Sequence, residues 1–256
     1  MRVQIGLLLL ACLAAGTGLA AYAPAPNWGY LRRHGDLALF AAVRSQMAPA
    51  PWRATYTETQ LPVIHPFSGL RLTVARTPGT KLGGALFRFE APECLRGIGV
   101  VSMEGRVWVH MPGRPVEDAT PALLGMPLPL LGVPLIVLAA TETEDLFNRE
   151  IVGEFGEVGI YQLEPRYEQG PGLQRMKLAL QKRTVTLDAV QVVDRQNALV
   201  AGAQWQKVLP EQGLQSAQQL TLRPTTGDAA TLELRRTQLL VGDAAGPLRF
   251  DASALQ

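Results

Sequence analysis

Apolar and polar residues alternate along most of the chain between residues 52 and 241. Three early segments, PWRATYTETQ, GLRLTVAR and ALFRFEAP, carry apolar side chains at every second position. These positions are Trp52, Ala54 and Tyr56, then Leu70, Leu72 and Val74, then Phe87 and Phe89. A period of two is typical of β-strands with one buried and one solvated face, so each segment is predicted to be a strand.

Later segments repeat this alternation, and turn residues separate them. The segment GVVSMEGRVWVHMP predicts two strands joined by a turn at Glu104 and Gly105. Further strands are predicted in GIYQLEP, LQRMKLALQ, TVTLDAVQVVD, QQLTLRP and ATLELRRTQLLV, with turns at 194–197 and 226–228. The total is about ten or eleven antiparallel strands. An antiparallel sheet of that size has to curl or be covered by helices.

One helix is predicted before the strands. Asp36 is a suitable N-cap for LALFAAVRSQM, whose apolar residues recur at helical spacing. Pro49 and Pro51 end this helix, because proline disfavours the helical conformation in the residue that precedes it. The pattern therefore predicts an α+β fold, and no linker divides residues 24–256 into two domains.

Residues 119–140 break the alternation and contain no charged residue. The run is long enough to cross a bilayer, but its four prolines argue against a continuous helix. We expect a proline-broken loop and then a short helix that starts near Pro134 and continues through TETEDLFNR. Two interpretations stay open, a buried core segment and an apolar lid over a cavity. The acidic residues that follow, Glu142, Glu144 and Asp145, are expected to be solvated.

The first twenty residues have the pattern of a secretory signal peptide, with one arginine, a short apolar run and small residues. Cleavage is expected after Ala20, with Ala23 as the alternative, and a retained membrane anchor is the other interpretation of this segment. Lipid attachment at Cys12 is not expected, because processing there would leave a leader of only eleven residues. Without residues 1–20 the chain keeps one cysteine, Cys94, and can form no internal disulfide.

Composition and motifs exclude several classes of function. The hydrophobic share of 47% excludes a disordered chain, and a formal charge of +2 provides no basic field for nucleic acid. The three histidines, His34, His65 and His110, are widely spaced, and the chain has no P-loop, dinucleotide-binding, nucleophile-elbow or zinc-protease motif. The sequence predicts no catalytic residue, metal site or cofactor, which favours binding over catalysis.

Several short motifs occur in an order that resembles a known family. They are Arg76-Thr77-Pro78 followed by Phe87-Arg88-Phe89, the run Phe89-Glu90-Ala91-Pro92, the Arg96-Gly97 step, the strand from Gly105 to Pro112, Glu144-Asp145-Leu146, the Tyr161 to Pro165 strand, and Asp194. Together they resemble the outer-membrane lipoprotein-sorting family, relatives of the periplasmic lipoprotein carrier LolA, over about residues 36–250. A Gly-Ser-Asp-Phe segment of close relatives is missing here, and the interval from Pro78 to Phe87 is longer than usual.

The resemblance implies a strongly curved antiparallel sheet, an open half-barrel, with helices covering an apolar concave face that takes acyl chains. The lid would lie near 119–148, and Arg76 and Arg88 are candidates to tie the lid or to meet a ligand head group. The expected cavity wall is Trp52, Tyr56, Leu70, Leu72, Val74, Phe87, Phe89, Trp108 and Val109. The expected lid residues are Leu130, Leu131, Val133, Leu135, Ile136 and Leu138.

The resemblance further implies a monomeric periplasmic carrier that holds the acyl chains of lipids or lipoproteins and delivers them towards the outer membrane. An inner-membrane transporter and an outer-membrane acceptor would be its partners. The alternative is an envelope sensor of the same fold that binds a lipid or lipoprotein and signals to a membrane partner. An enzyme built on a half-barrel and a structural component of the envelope are two further alternatives.

Overall fold

The computed structural model describes residues 36–78, 83–111, 113–128, 131–143, 146–166, 175–194, 196, 198–224 and 231–256. For residues 36–41, 149, 151 and 152 it describes the backbone alone. The predicted signal peptide at 1–20, the predicted turn at 226–228 and the lid residue Leu130 therefore lie outside the described residues.

The described strands form one antiparallel sheet of thirteen strands. Their bounds are β1 Trp52–Glu58, β2 Arg71–Thr77, β3 Gly84–Ala91, β4 Gly99–Met103, β5 Arg106–His110, β6 Glu117–Asp118, β7 Phe147–Phe155, β8 Val158–Pro165, β9 Arg175–Gln181, β10 Thr186–Val193, β11 Leu199–Glu211, β12 Leu214–Arg223 and β13 Leu232–Val241. The sheet is open, and β6 and β7 are its two edges. The α+β half-barrel expected from the sequence is confirmed.

The strand count exceeds the predicted ten or eleven because three strands carry a weak pattern. β6 has two residues, too few to show a period. β11 contains Gly202 and Pro210, which interrupt its alternation. β7 was expected to continue a helix, but its backbone pairs along the whole of β8 instead. In β7, pairing with a neighbouring strand outweighs the local preference for a helix.

The described α-helices are few and short, and they lie on the inner face of the sheet. Helix α1 spans Asp36–Met47, as predicted, and packs against β10 and β12. Helices α2, Pro121–Leu124, and α3, Ile136–Ala139, have four residues each. The 3-10 helices are Glu93–Leu95, Gly242–Ala245 and Ala252–Leu255. α3 packs against β10 and β11, so the inner face is covered from both α1 and α3.

The strand order makes one segment cross from one edge of the sheet to the other. In space the order is β6-β5-β4-β3-β2-β1-β13-β12-β11-β10-β9-β8-β7, so consecutive strands are neighbours everywhere except at β6 to β7. The connection between those two edges is residues 119–146, which we call the crossing segment. Its buried residues share one apolar cluster with the inner face of the sheet. The crossing segment therefore lies over the concave face.

The outer face is mostly solvated, but the C-terminal segment covers part of it. Phe250, Ala254 and Leu255 pack on Ala75 and Leu86 in a second, smaller cluster. Gly84 makes this contact possible, because a Cβ at Gly84 would lie 2.6 Å from the Cγ of Phe250. Residues 242–256 thus fix the outer side of β2 to β5.

Candidate functional site

The inner face of β1, β2 and β3 forms an apolar wall. Eight of the nine residues predicted from the sequence to line a cavity are buried together there, each no more than 6% exposed. They are Trp52, Tyr56, Leu70, Leu72, Val74, Phe87, Phe89 and Val109. The strand register explains the grouping, since Val74 pairs with both Ala54 and Phe87 and brings three strands into line. Alternate side chains of paired strands share a face.

Two residues lie away from where they were expected, Trp108 in the wall and Arg88 as a tie to the lid or a contact of a head group. Trp108 precedes Val109 in β5, so it points to the outer face, where it packs against the cluster beneath the C-terminal segment. Arg88 also lies on the outer face, where its guanidinium donates to the carboxylate of Glu90 and, over 2.6 Å, to the carbonyl of Ala254. Arg88 therefore holds the C-terminal segment and contacts neither the crossing segment nor the apolar wall.

The crossing segment turns its apolar side chains onto the inner face of the sheet. The described residues among those predicted as a lid are 0–2% exposed and belong to the same cluster as the wall. They are Leu131, Val133, Leu135, Ile136 and Leu138. A tight turn supports them, in which the Leu128 amide donates to the Val133 carbonyl over 3.1 Å. The apolar run is thus a covering layer over the sheet.

The helix predicted from Pro134 through residue 149 is wrong, because among the described residues of this stretch the α-helix covers Ile136–Ala139 alone and a strand begins at Phe147. After α3 the Thr143 hydroxyl donates to the carbonyl of Ala139 over 2.9 Å, and the Leu146 amide donates to the carbonyl of Thr143. Such local bonds compete with continuation of a helix. The chain then enters β7 at Phe147, which is buried.

Little space remains on the concave face beside the wall. The cavity there has a volume of about 40 Å³ and is lined by Trp52, Tyr56, Val74, Arg76 and Phe87 of the wall and by residues of α1, β10, β11 and β12. Pockets that hold small organic ligands usually measure about 300–1,000 Å³. The buried side chains of the crossing segment belong to the same core cluster as the inner face, so they take up space that a ligand on the concave face would need.

A buried ion pair joins the wall to the crossing segment. The Arg76 guanidinium contacts the carboxylate of Glu142, and the two side chains are only 4% and 3% exposed. The Thr141 hydroxyl donates to the other oxygen of that carboxylate over 2.9 Å, and Arg76 stacks on the Phe87 ring at 5.3 Å. The expectation that Glu142 is solvated is wrong. Its partner lies 66 residues earlier in the chain, which no local pattern reveals.

A second polar group lies at the rim of the cavity. The Tyr56 hydroxyl donates to the carbonyl of Ala217 over 2.9 Å, and Arg236 donates to Ser216 and pairs with Glu211. Burial raises the pKa of Tyr56 to about 12, and the positive charge of Arg236 only partly offsets that effect. Tyr56 is therefore neutral at physiological pH and acts as a hydrogen-bond donor. The alternating pattern predicts Tyr56 only as a wall residue and gives no sign of this bond.

The described residues hold no cluster of three or more histidine, cysteine or acidic side chains that could bind a metal ion. Within the same ranges no helix has the length and apolar character needed to span a bilayer. The uncharged run at 119–140 accordingly contains two helices of four residues each.

Solved structures with the same architecture exist, although no protein-family model and no curated protein matches the chain. A LolA superfamily protein from Nitrosomonas europaea has a TM-score of 0.55 at 10% identity, and 84% of this chain covers 96% of that one. A putative outer membrane lipoprotein-sorting protein domain from Vibrio parahaemolyticus has a TM-score of 0.54 at 15% identity, with the same coverage. The fold is LolA-like.

A third structure with this LolA-like fold is a DUF1329 family protein from Desulfovibrio piger, at a TM-score of 0.56 and 15% identity over 85% of this chain and 96% of that one. At identities of 10–15% the similarity concerns the fold alone. Two of the residues that carried the resemblance lie at strand ends of this LolA-like fold. Pro92 follows β3, and Gly105 supplies the left-handed backbone, φ 84°, for the β4–β5 turn.

Proposed function

We propose that this protein is a periplasmic carrier that binds the acyl chains of lipids or lipoproteins on its concave face and delivers them towards the outer membrane. The observation that carries the proposal is an apolar wall covered by an apolar segment that could leave it without breaking the sheet. The LolA-like fold and the signal-peptide pattern of residues 1–20 support it. Binding would need no catalytic group.

In this proposal, ligand binding exchanges the lid side chains on the concave face for an acyl chain. Burial of a leucine-sized side chain contributes about 1.5–3 kcal/mol, so the five described lid residues contribute about 8–15 kcal/mol to closure. An acyl chain of roughly sixteen carbons offers about 12 kcal/mol, at about 0.8 kcal/mol per buried CH₂. Because the two terms are similar, the chain can replace the lid and the lid can later replace the chain. A carrier needs this reversibility, since it has to release its cargo.

The Arg76–Glu142 pair would set the resting state. Glu142 follows α3 directly, so closure of the crossing segment brings its carboxylate onto Arg76. Movement of the crossing segment away from the wall would separate the pair and return both charges to water. Arg76 then becomes free to meet a polar head group at the cavity rim, which combines the two roles expected for it.

The first test is to purify the mature chain from a bacterial periplasm without detergent and to extract it for lipid mass spectrometry. A lipid or acylated peptide at a stoichiometry near one per chain supports the carrier. The same preparation is then delipidated and titrated with a fluorescent sixteen-carbon fatty acid. A protein that is empty on isolation and does not take up the fatty acid would overturn the proposal.

A further inference from the structure

The sheet opens into a fork between two neighbouring strands. β10 and β11 pair from Ala189 with Gln204 to Val193 with Leu199. Beyond the pair of Ala189 and Gln204, the described residues of β10 and β11 no longer pair with each other. Thr186 and Leu187 pair only with β9, and the paired residues between 205 and 211 pair only with β12. Each strand therefore presents one unpaired backbone edge to the fork. Unpaired edges are ready to bond to an added strand.

A groove of about 610 Å³ occupies this fork. Its polar lining includes the side-chain amides of Gln204, Gln206 and Gln215. The positive charges of Arg183 and Lys207 are balanced by the negative charges of Glu157 and Asp188. The volume lies in the range of ligand pockets. A lining rich in amides, with no net charge, matches the alternating donors and acceptors of a peptide better than a phosphate group.

The groove leads into the apolar interior. Trp205, Thr186, Val208 and Gln215 line both the groove and the 40 Å³ cavity beside the wall. Trp205 is half-buried and packs against the main core. A ligand in the groove could therefore place an attached acyl chain past Trp205 onto the concave wall.

We infer that the fork between β10 and β11 binds an extended peptide by strand addition, so that the ligand is an acylated peptide whose chain enters the interior at Trp205. The inference rests on the proposed function, because the acyl chain takes the concave site. The free edge of β10 at 186–188 spans about 10 Å at about 3.3 Å per residue, enough for roughly three residues of added strand. Backbone bonds supply the affinity in this mode of recognition and do not depend on the peptide sequence.

The test compares four synthetic ligands with the delipidated protein in calorimetric titrations. They are palmitate, an N-palmitoyl hexapeptide of alternating serine and glycine, the same peptide with every backbone amide N-methylated, and an isomeric control with the methyl groups on side chains. We expect the plain peptide and the side-chain control to bind about tenfold or more tightly than palmitate. The N-methylated peptide is expected to fall back to the affinity of palmitate.

Position is tested with a nitroxide at the peptide's C-terminus, which should broaden the amide signals of 186–188 and 205–208. The variant Gln204→Ala/Gln206→Ala should lose part of the peptide's advantage and keep its affinity for palmitate, while Gln162→Ala on the outer face of β8 serves as the matched control. Equal affinity of all four ligands would overturn peptide binding at the fork and leave the proposed carrier function intact. If none of the four ligands binds, the proposed carrier function itself is overturned. A palmitoyl lysophospholipid that binds more tightly than the peptide would instead identify a head-group site and refute strand addition.

Discussion

Replacing Glu142 by glutamine keeps the size of the side chain and removes the negative charge that Arg76 meets beneath the crossing segment. Both groups are almost fully buried, so the variant leaves a guanidinium in an apolar site with no counter-charge. The Arg76 Nε has no hydrogen-bond partner among the described residues, which leaves little compensation in the closed state. In the open conformation Arg76 would be hydrated. The substitution should therefore destabilise closure more than it destabilises the sheet.

Removal of one member of a buried ion pair usually costs about 3–5 kcal/mol. For a chain of this size 3 kcal/mol corresponds to a fall in melting temperature of roughly 6–12 °C. The same free energy would raise the fraction of molecules with an open lid, and the apparent affinity for an acyl chain rises with that fraction until it approaches one. We expect Glu142→Gln to bind a fluorescent fatty acid at least about tenfold more tightly than wild type.

The assay pairs a thermal melt with a fatty-acid titration on each variant. Arg76→Met should act in the same direction, and Arg76→Met/Glu142→Met should restore stability and weak binding, because two apolar side chains replace the pair. Glu164→Gln is the matched control, since Glu164 pairs with Arg175 on the exposed outer face. Unchanged stability and affinity in Glu142→Gln would refute the pair as a closure device. Weaker binding in both single variants would assign the pair to the ligand instead.

Three further outcomes are expected. Folding raises the pKa of Tyr56 from 10.0 to about 12, so the unfolded chain loses this proton first as the pH rises. Wild type should therefore lose about 2–3 kcal/mol of stability between pH 10 and 12, and Tyr56→Phe should not show this loss. If the denaturation midpoints of wild type and Tyr56→Phe change equally over that range, the expectation is contradicted. Gly84→Ala should cost about 1–3 kcal/mol in urea denaturation, and much less in a Phe250→Ala background, where the clash is gone. Leu135→Ala should lower the melting temperature and tighten fatty-acid binding, whereas Leu209→Ala, at an exposed leucine, should change neither.

Local pattern predicted the parts of this fold that local chemistry determines. Helix α1 begins at Asp36 and ends at Met47, just before Pro49, and the β4–β5 turn lies at Glu104 and Gly105. Alternation alone indicated which side chains of β1 to β3 share a face, because a half-buried strand admits apolar side chains on one side only. These features depend on neighbours within a few residues in sequence.

The errors arise where distant parts of the chain meet. Trp108 was expected in the wall, but the C-terminal segment that covers it is more than a hundred residues away. Glu142 is buried because Arg76 reaches it from β2. In both cases the deciding partner is non-local, and a pattern read along the chain does not contain it. β7 is an exception, because its partner β8 follows it after only two residues.

The pairing of β1 with β13 constrains the order in which the chain can fold. Every other ladder joins consecutive strands and can form as soon as its hairpin emerges. β1 has to wait for residues such as Thr237, which lies 180 positions after its contact Thr57. Closing so long a loop is slow, and until it closes the free edge of β1 can pair with other chains. A chain that emerges from its N-terminus would therefore depend on protection from aggregation until nearly its last residues are available to pair.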